Sequence, residues 1–261
     1  MLFRSAGQRL SLTVLPDWLA APELETLLAA ADESVLQLHG IGHRRRSLFD
    51  ATEAQAWTRR FARRSAKPFR VALPTYGSRA GVNPSGRIAW VESEVTVADG
   101  AGGGREWFAN PADVADFLRW LGKQTSSRLA GVAWFRLPLA GDRRAWTPAT
   151  WRAVINGRDE PVRLDGELRP GGVAHRYTVV VHNRGAIDVP WPMAATIEPP
   201  CRGILAAKGY RLEEDASESV FLRSEQGLLR AGSEVSVGLA ECVSGRGLVG
   251  EIGRASCRER V

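Results

Sequence analysis

Cysteine is scarce in this 261-residue chain: there are three, and one of them, Cys257, falls within the last eleven residues. That leaves Cys201 and Cys242, both in the C-terminal third, as either a disulfide pair of an exported protein or two buried thiols. Lysine is equally rare, with only Lys67, Lys123 and Lys208, so a formal charge of +6 rests almost wholly on arginine. With abundant alanine and glycine, that bias points to a GC-rich bacterial coding sequence, which explains the basicity without a nucleic-acid partner. The densest basic run, His43-Arg44-Arg45-Arg46, lacks the interleaved aromatics of a nucleic-acid platform and reads as a solvated loop.

Other absences narrow the function further. No apolar run approaches the roughly 18–20 residues of a membrane-spanning helix. His39 and His43 are four apart but straddle Gly40 and Gly42, which removes the helical face that metal spacing needs, so no metal site is expected. The run "GAGGGRE" lacks the Lys-Ser/Thr element of a phosphate loop, and no G-x-S-x-G nucleophile elbow occurs. No cofactor is implied.

Both ends read as foreign. The opening MLFRS, residues 1–5, and the closing EIGRASCRERV, residues 251–261, match direct translations of a pair of short-read sequencing adapters. They are set aside as artefacts before the fold is considered. Without their charged residues about +4 remains, and the expectation is an internal fragment, residues 6–250, of a longer protein.

What is present is an alternating pattern. Four short apolar runs, "LSLTVLPDW" (10–18), "SVLQLHG" (34–40), "FRVALPTYG" (69–77) and "AGVAWFRLP" (130–138), are continuous, as strands covered on both faces are. Helical patterns separate them. Pro22 opens one with Leu24, Leu27 and Leu28 on a face, and Trp57 and Phe61 are spaced i, i+4 in the next. Asn110 and Pro111 start a third whose stripe is Val114, Phe117, Leu118 and Leu121, and Thr147 with Pro148 start a fourth. Such βα alternation predicts a parallel α/β fold, a barrel or an open doubly wound sheet. Residues 78–109 interrupt it with a β hairpin and the glycine run 99–104, expected to be a flexible loop. After about residue 158 the alternation in "HRYTVVVHN", "SVFLRS" and "SEVSVGLAEC" predicts short antiparallel strands, read as a small β-sandwich over 158–250.

In a βα barrel the residues just after each strand face the site. Here they are Asp17 and Trp18, His39, Thr75 and Tyr76, then Trp134 and Arg136 with Asp142 beyond. Rings and hydrogen-bonding groups together suit sugars, whose C–H faces stack on aromatics while hydroxyls need polar partners. Each also has a plainer role. Trp134 could be core, His39 a structural histidine, Arg136 half of an ion pair, Asp17 a helix cap, and Asp142 a turn residue with Gly141.

The motifs "RVALPTYG" and "WFRLP", with "LSLTVLPDWL" and "VLQLHG", resemble the C-terminal portion of an uncharacterised bacterial family, domain of unknown function 3142. More distantly, the succession is similar to the second half of the family 18 glycoside hydrolases, the chitinase-like barrels. That resemblance implies that residues 6–157 are strands five to eight of a (β/α)8 barrel, with Tyr76 at the site edge after the seventh strand and Trp134 as the sugar floor. The chain departs from it at Leu36-Gln37-Leu38-His39, where the barrels carry a Met-x-Tyr-Asp element. The acidic strand that supplies the general acid would lie upstream of Met1. The resemblance thus implies an exported parent that acts on polysaccharide, or alternatively a non-catalytic glycan-binding or envelope scaffold protein, and an inactive fragment. The oligomeric state is left open.

Overall fold

The computed structural model describes residues 7–41, 47–83, 85, 87–92, 104–124, 128–139, 142, 144–158, 160–198, 200–207, 209–214, 218–223, 227–243 and 249–253. The basic run 43–46, all of the glycine run but Gly104, and the terminal stretches 1–5 and 254–261 with Cys257 lie outside the described residues. The chain divides into two units, residues 1–158 and 159–261.

The first unit is α/β. In chain order it holds β1 (Ser11–Val14), a 3-10 turn (Pro16–Ala20), α1 (Leu24–Ala30), β2 (Glu33–Gln37), α2 (Ala51–Arg64), β3 (Phe69–Pro74), β4 (Gly77–Val82), β5 (Ile88–Glu92), β6 (Arg105–Phe108), α3 (Pro111–Leu121), β7 (Leu129–Phe135) and α4 (Pro148–Ile155). Strands β1, β2, β3 and β7 form one parallel sheet in that sequential order. Parallel strands joined in sequence by right-handed crossovers put every helix on the same side.

Burial follows from that geometry. Val14, Leu36, Val71 and Leu73 face the helices and are buried, whereas Val35, Gln37 and Arg70 on the opposite face are only half-buried and Thr13 is exposed. The continuous apolar runs predict strands covered twice; β3 meets this in its second half, where Ala72 and Pro74 are buried as well, whereas the second face of β1 and β2 is only partly covered, because an unreversed strand order leaves it without helices. Strand β7 carries no buried side chain along its length.

The helices begin where their capping residues dictate. Asn110 accepts a hydrogen bond from the Ala112 amide ahead of Pro111, and Thr147 accepts one from Thr150 ahead of Pro148. Val114, Phe117 and Leu121 bury the core stripe of α3. In α2 the buried face is Ala54, Thr58 and Phe61, with Trp57 to one side. The Thr58 hydroxyl meets its own hydrogen-bonding need by donating to the Ala54 carbonyl at 2.7 Å. In α1 only Leu24 and Leu28 are buried; Leu27 turns out, 45% exposed, since it lies a quarter-turn off their line. Arg64 at the end of α2 donates to the Leu19 and Ala21 carbonyls and to Glu25, tying α2 to the first βα unit.

Between β3 and α3 the insertion is a three-stranded antiparallel sheet, β5-β4-β6, rather than a hairpin alone. Its third strand, Arg105–Phe108, pairs with β4 at long range, which a four-residue run with two charges does not announce.

The second unit is antiparallel β: β8 (Leu164–Pro170), β9 (Arg176–Asn183), β10 (Val189–Pro190), β11 (Ala194–Ile197), β12 (Cys201–Ala206), β13 (Tyr210–Glu214), β14 (Ser219–Arg223), β15 (Leu228–Leu229), β16 (Glu234–Cys242) and β17 (Val249–Gly253). Two four-stranded sheets, β12-β16-β9-β8 and β13-β14-β11-β17, accompany the small β10-β15 ribbon. Val179, Val181, Val237 and Ala240 from one sheet share a core with Ala195, Ile197 and Phe221 from the other. Strand β17 runs into the segment set aside above, pairing Ala195 with Ile252 and Ala194 with Gly253. Cys201 and Cys242 are register partners on adjacent strands and are joined by a disulfide. No helix among the described residues is long and apolar enough to cross a membrane.

Candidate functional site

The carboxyl ends of β2, β3 and β7 bring three rings together. His39 follows β2, Tyr76 follows β3 and Phe135 closes β7. The His39 and Phe135 rings stack at 5.2 Å with planes 29° apart, and Tyr76 presents an edge to both, at 5.7 Å from His39 and 5.6 Å from Phe135. Tyr76 is buried, whereas Phe135 is 48% exposed and so opens the cluster to solvent.

His39 itself is 2% exposed, and among the described residues its buried ring nitrogens make no hydrogen bond of good geometry, only a looser one between the ring and the Ala72 backbone. Burial, weakly opposed by the Ala72 backbone, holds its pKa down at about 4. The imidazole is therefore neutral at physiological pH, with one donor and one acceptor.

A second group of residues fixes Tyr76. The Thr75 amide donates to the Phe135 carbonyl at 3.0 Å, the Trp146 amide to the Thr75 carbonyl at 2.7 Å, and the Gly77 amide to the Arg144 carbonyl at 2.6 Å. Tyr76 thereby forms an antiparallel bridge with Ala145. Asp142 organises this return segment: its Oδ1 accepts from the Arg144 and Ala145 amides at 2.9 and 3.0 Å. Its Oδ2 accepts from Arg136, whose guanidinium sits 5.1 Å from the Tyr76 ring centroid in a cation–π contact. Burial pushes the Asp142 carboxyl up, but these hydrogen bonds outweigh it and hold the pKa below the usual aspartate value. Arg144 pairs with Glu92 and Glu106, anchoring the same segment to the insertion sheet.

The remaining site residues expected from sequence are placed elsewhere. Trp134 does not floor the site; it faces the helix layer, its ring 6.3 Å from that of Trp151 on α4. Strand register supplies the reason. Leu129 pairs with Phe69, but the next pairing joins Arg70 to Gly131, so one residue is skipped. Gly131 has φ +143°, a conformation L side chains rarely adopt. A one-residue slip reverses every later side chain. Trp134 falls in line with buried Leu73, and Phe135 turns to the open face in its place.

Asp17 and Trp18 sit exposed on the 3-10 turn after β1, the edge of the sheet opposite β7. Asp17 does not cap α1, whose N-cap is Glu23. Among the described residues no group of three or more His, Cys, Asp or Glu is placed to hold a metal ion.

A family described as domain of unknown function, DUF3142, matches residues 4–140, and a second, DUF8456, matches residues 169–243. No curated protein matches the chain. Among solved structures, chitinase ChiA74 from Bacillus thuringiensis aligns with a TM-score of 0.35 at 7% identity, over 89% of this chain and 63% of its own. This chain thus spans about three fifths of that protein's length.

Proposed function

The chain belongs to the family of domain of unknown function 3142, and we propose that its first unit is half of a (β/α)8 barrel that presents a glycan-binding site at the strands' carboxyl ends. The half-barrel reading is supported by four parallel strands in unreversed order, helices on one side, an inner face that is only partly covered and two edges, β1 and β7, that lack a strand partner among the described residues. The second unit is read as a β-sandwich on the strength of two sheets sharing one core.

The observation that carries the binding function is the ring cluster: a half-exposed aromatic face on Phe135 over a buried imidazole whose nitrogens lack a well-formed hydrogen bond among the described residues. Sugars supply both an apolar face and hydroxyls to such a site.

Hydrolysis is a different matter. Glycosidases use two carboxyl groups flanking the bond, one of them protonated. Asp142 is held ionised by Arg136 and two amides, Glu92 and Glu106 are paired with Arg144, and Asp17 is exposed at the far edge. The described residues therefore favour binding over cleavage in this chain, and a parent enzyme would draw its acid from elsewhere. Export of the parent is supported by the Cys201–Cys242 disulfide, since such bonds persist in oxidising compartments.

The test compares Phe135→Ala with Trp134→Ala for retention on insoluble polysaccharides and for affinity to soluble oligosaccharides. The site reading expects loss of binding in the first variant and retention in the second. Equal behaviour of the two variants would sink it.

A further inference from the structure

Among the described residues the charges flanking the ring cluster are paired. Arg136, in cation–π contact with Tyr76, is bound to Asp142, and Arg144 is bound to Glu92 and Glu106. The remaining polar group is His39, whose buried ring nitrogens have only a loose hydrogen bond with the Ala72 backbone among the described residues. Buried polar atoms in native structures are nearly always satisfied, so an under-satisfied imidazole marks a place where a ligand or water completes the site. Phe135 lies over that imidazole on one face and is open to solvent on the other, so rotation of its side chain admits a ligand group to His39 while its ring remains a stacking surface.

Resting on the reading of this cluster as a glycan site, we infer that it selects an uncharged, hydroxyl-bearing sugar ring and rejects acidic sugars. A hydroxyl both donates and accepts, matching an imidazole that offers one donor and one acceptor. A carboxylate only accepts, so it has nothing to donate to the acceptor nitrogen of the ring. It would also lose solvation at a site where Arg136, the cation in contact with the Tyr76 ring, is already paired with the ionised Asp142. Displacing Asp142 from Arg136 would not help, because Asp142 also holds the Arg144 and Ala145 amides that set Tyr76 in place. The depressed pKa of His39 agrees with this: the imidazole stays neutral where an acidic ligand would need it charged.

The experiment titrates the full 261-residue chain at pH 7 with hexasaccharides of glucose, mannose and N-acetylglucosamine, and in parallel with hexagalacturonate and a hyaluronan hexasaccharide, by calorimetry. At least one neutral probe is expected to bind, with both acidic probes at least tenfold weaker. His39→Gln, which keeps a donor and an acceptor, should hold affinity within about threefold, while His39→Phe loses it more than tenfold with an unchanged circular dichroism spectrum. Acidic probes that bind as well as the neutral ones overturn the charge selectivity and leave the glycan reading standing. No binding by any probe overturns both.

Discussion

His39 and Phe135, far apart in sequence, stack ring on ring at 5.2 Å, and the imidazole beneath keeps both nitrogens buried. The consequence is an acid sensitivity with a definite sign. The unfolded chain takes up a proton near pH 6.5, whereas the folded His39 refuses it until about 4. Stability is therefore full above pH 6.5 and falls as pH drops toward 4, by roughly 2–3 kcal/mol from this group at pH 4.5. Urea unfolding at pH 7, 5.5 and 4.5 should show a shallower loss in His39→Gln than in the wild type. Parallel curves would remove His39 from the account.

Asp142→Asn keeps the shape but loses the charge that Arg136 needs. The expected cost is roughly 2–4 kcal/mol, because a partly buried guanidinium loses its carboxylate. Its signature is local: slower-exchanging amides at Arg144 and Ala145 should become faster by hydrogen exchange, while those of α3 stay protected. Uniform loss of protection would contradict a local role.

Reduction of the Cys201–Cys242 bond should destabilise the second unit by about 4 kcal/mol, the loop-closure value for the sequence separation of 41 residues. Thermal unfolding with and without reductant, and of Cys201→Ala/Cys242→Ala, measures it. An unchanged midpoint in all three would show that the sheet registers without the bond.

Gly238 is held by a steric requirement. A Cβ there would stand 2.1 Å from Phe221 Cε1 and 2.5 Å from the Leu205 carbonyl oxygen, so Gly238→Ala should cost roughly 1–3 kcal/mol or more. Gly172→Ala, where nothing lies within 4 Å and φ is ordinary, is the matched control and should be neutral. Denaturant midpoints of the two variants decide it.

The local parts of the fold were legible because local chemistry writes them. Asn110-Pro111 and Thr147-Pro148 start helices by capping geometry that needs no distant partner. The four parallel strands showed as apolar runs, but their unequal burial did not, since a continuous run looks the same whether both faces are covered, as in the second half of β3, or neither fully, as in β7. Strand β6 went unread because its partner lies across an insertion. In the site, His39 and Tyr76 could be placed from strand ends alone. Phe135 could not, because its direction depends on the residue skipped at Gly131 against β3. Adjacent Trp134 is the larger sugar-stacking ring, and only pairing between strands decides which of the two turns inward.

The bond between β12 and β16 also shapes how the second unit answers a pull on its ends. Antiparallel neighbours unzip one pair at a time from an end, and Cys201 and Cys242 form the terminal pair of their ladder, so peeling from that side cannot begin. Tension entering at β11 passes through sulfur into Val243 and bypasses strands β12 to β16 altogether. Those residues form a closed covalent ring that no stretching force can straighten, which withholds about 140 Å of contour length, at about 3.5 Å per residue over the separation of 41. Under load the unit behaves as a short tether with a sealed loop, lengthening fully only where the surroundings reduce the bond.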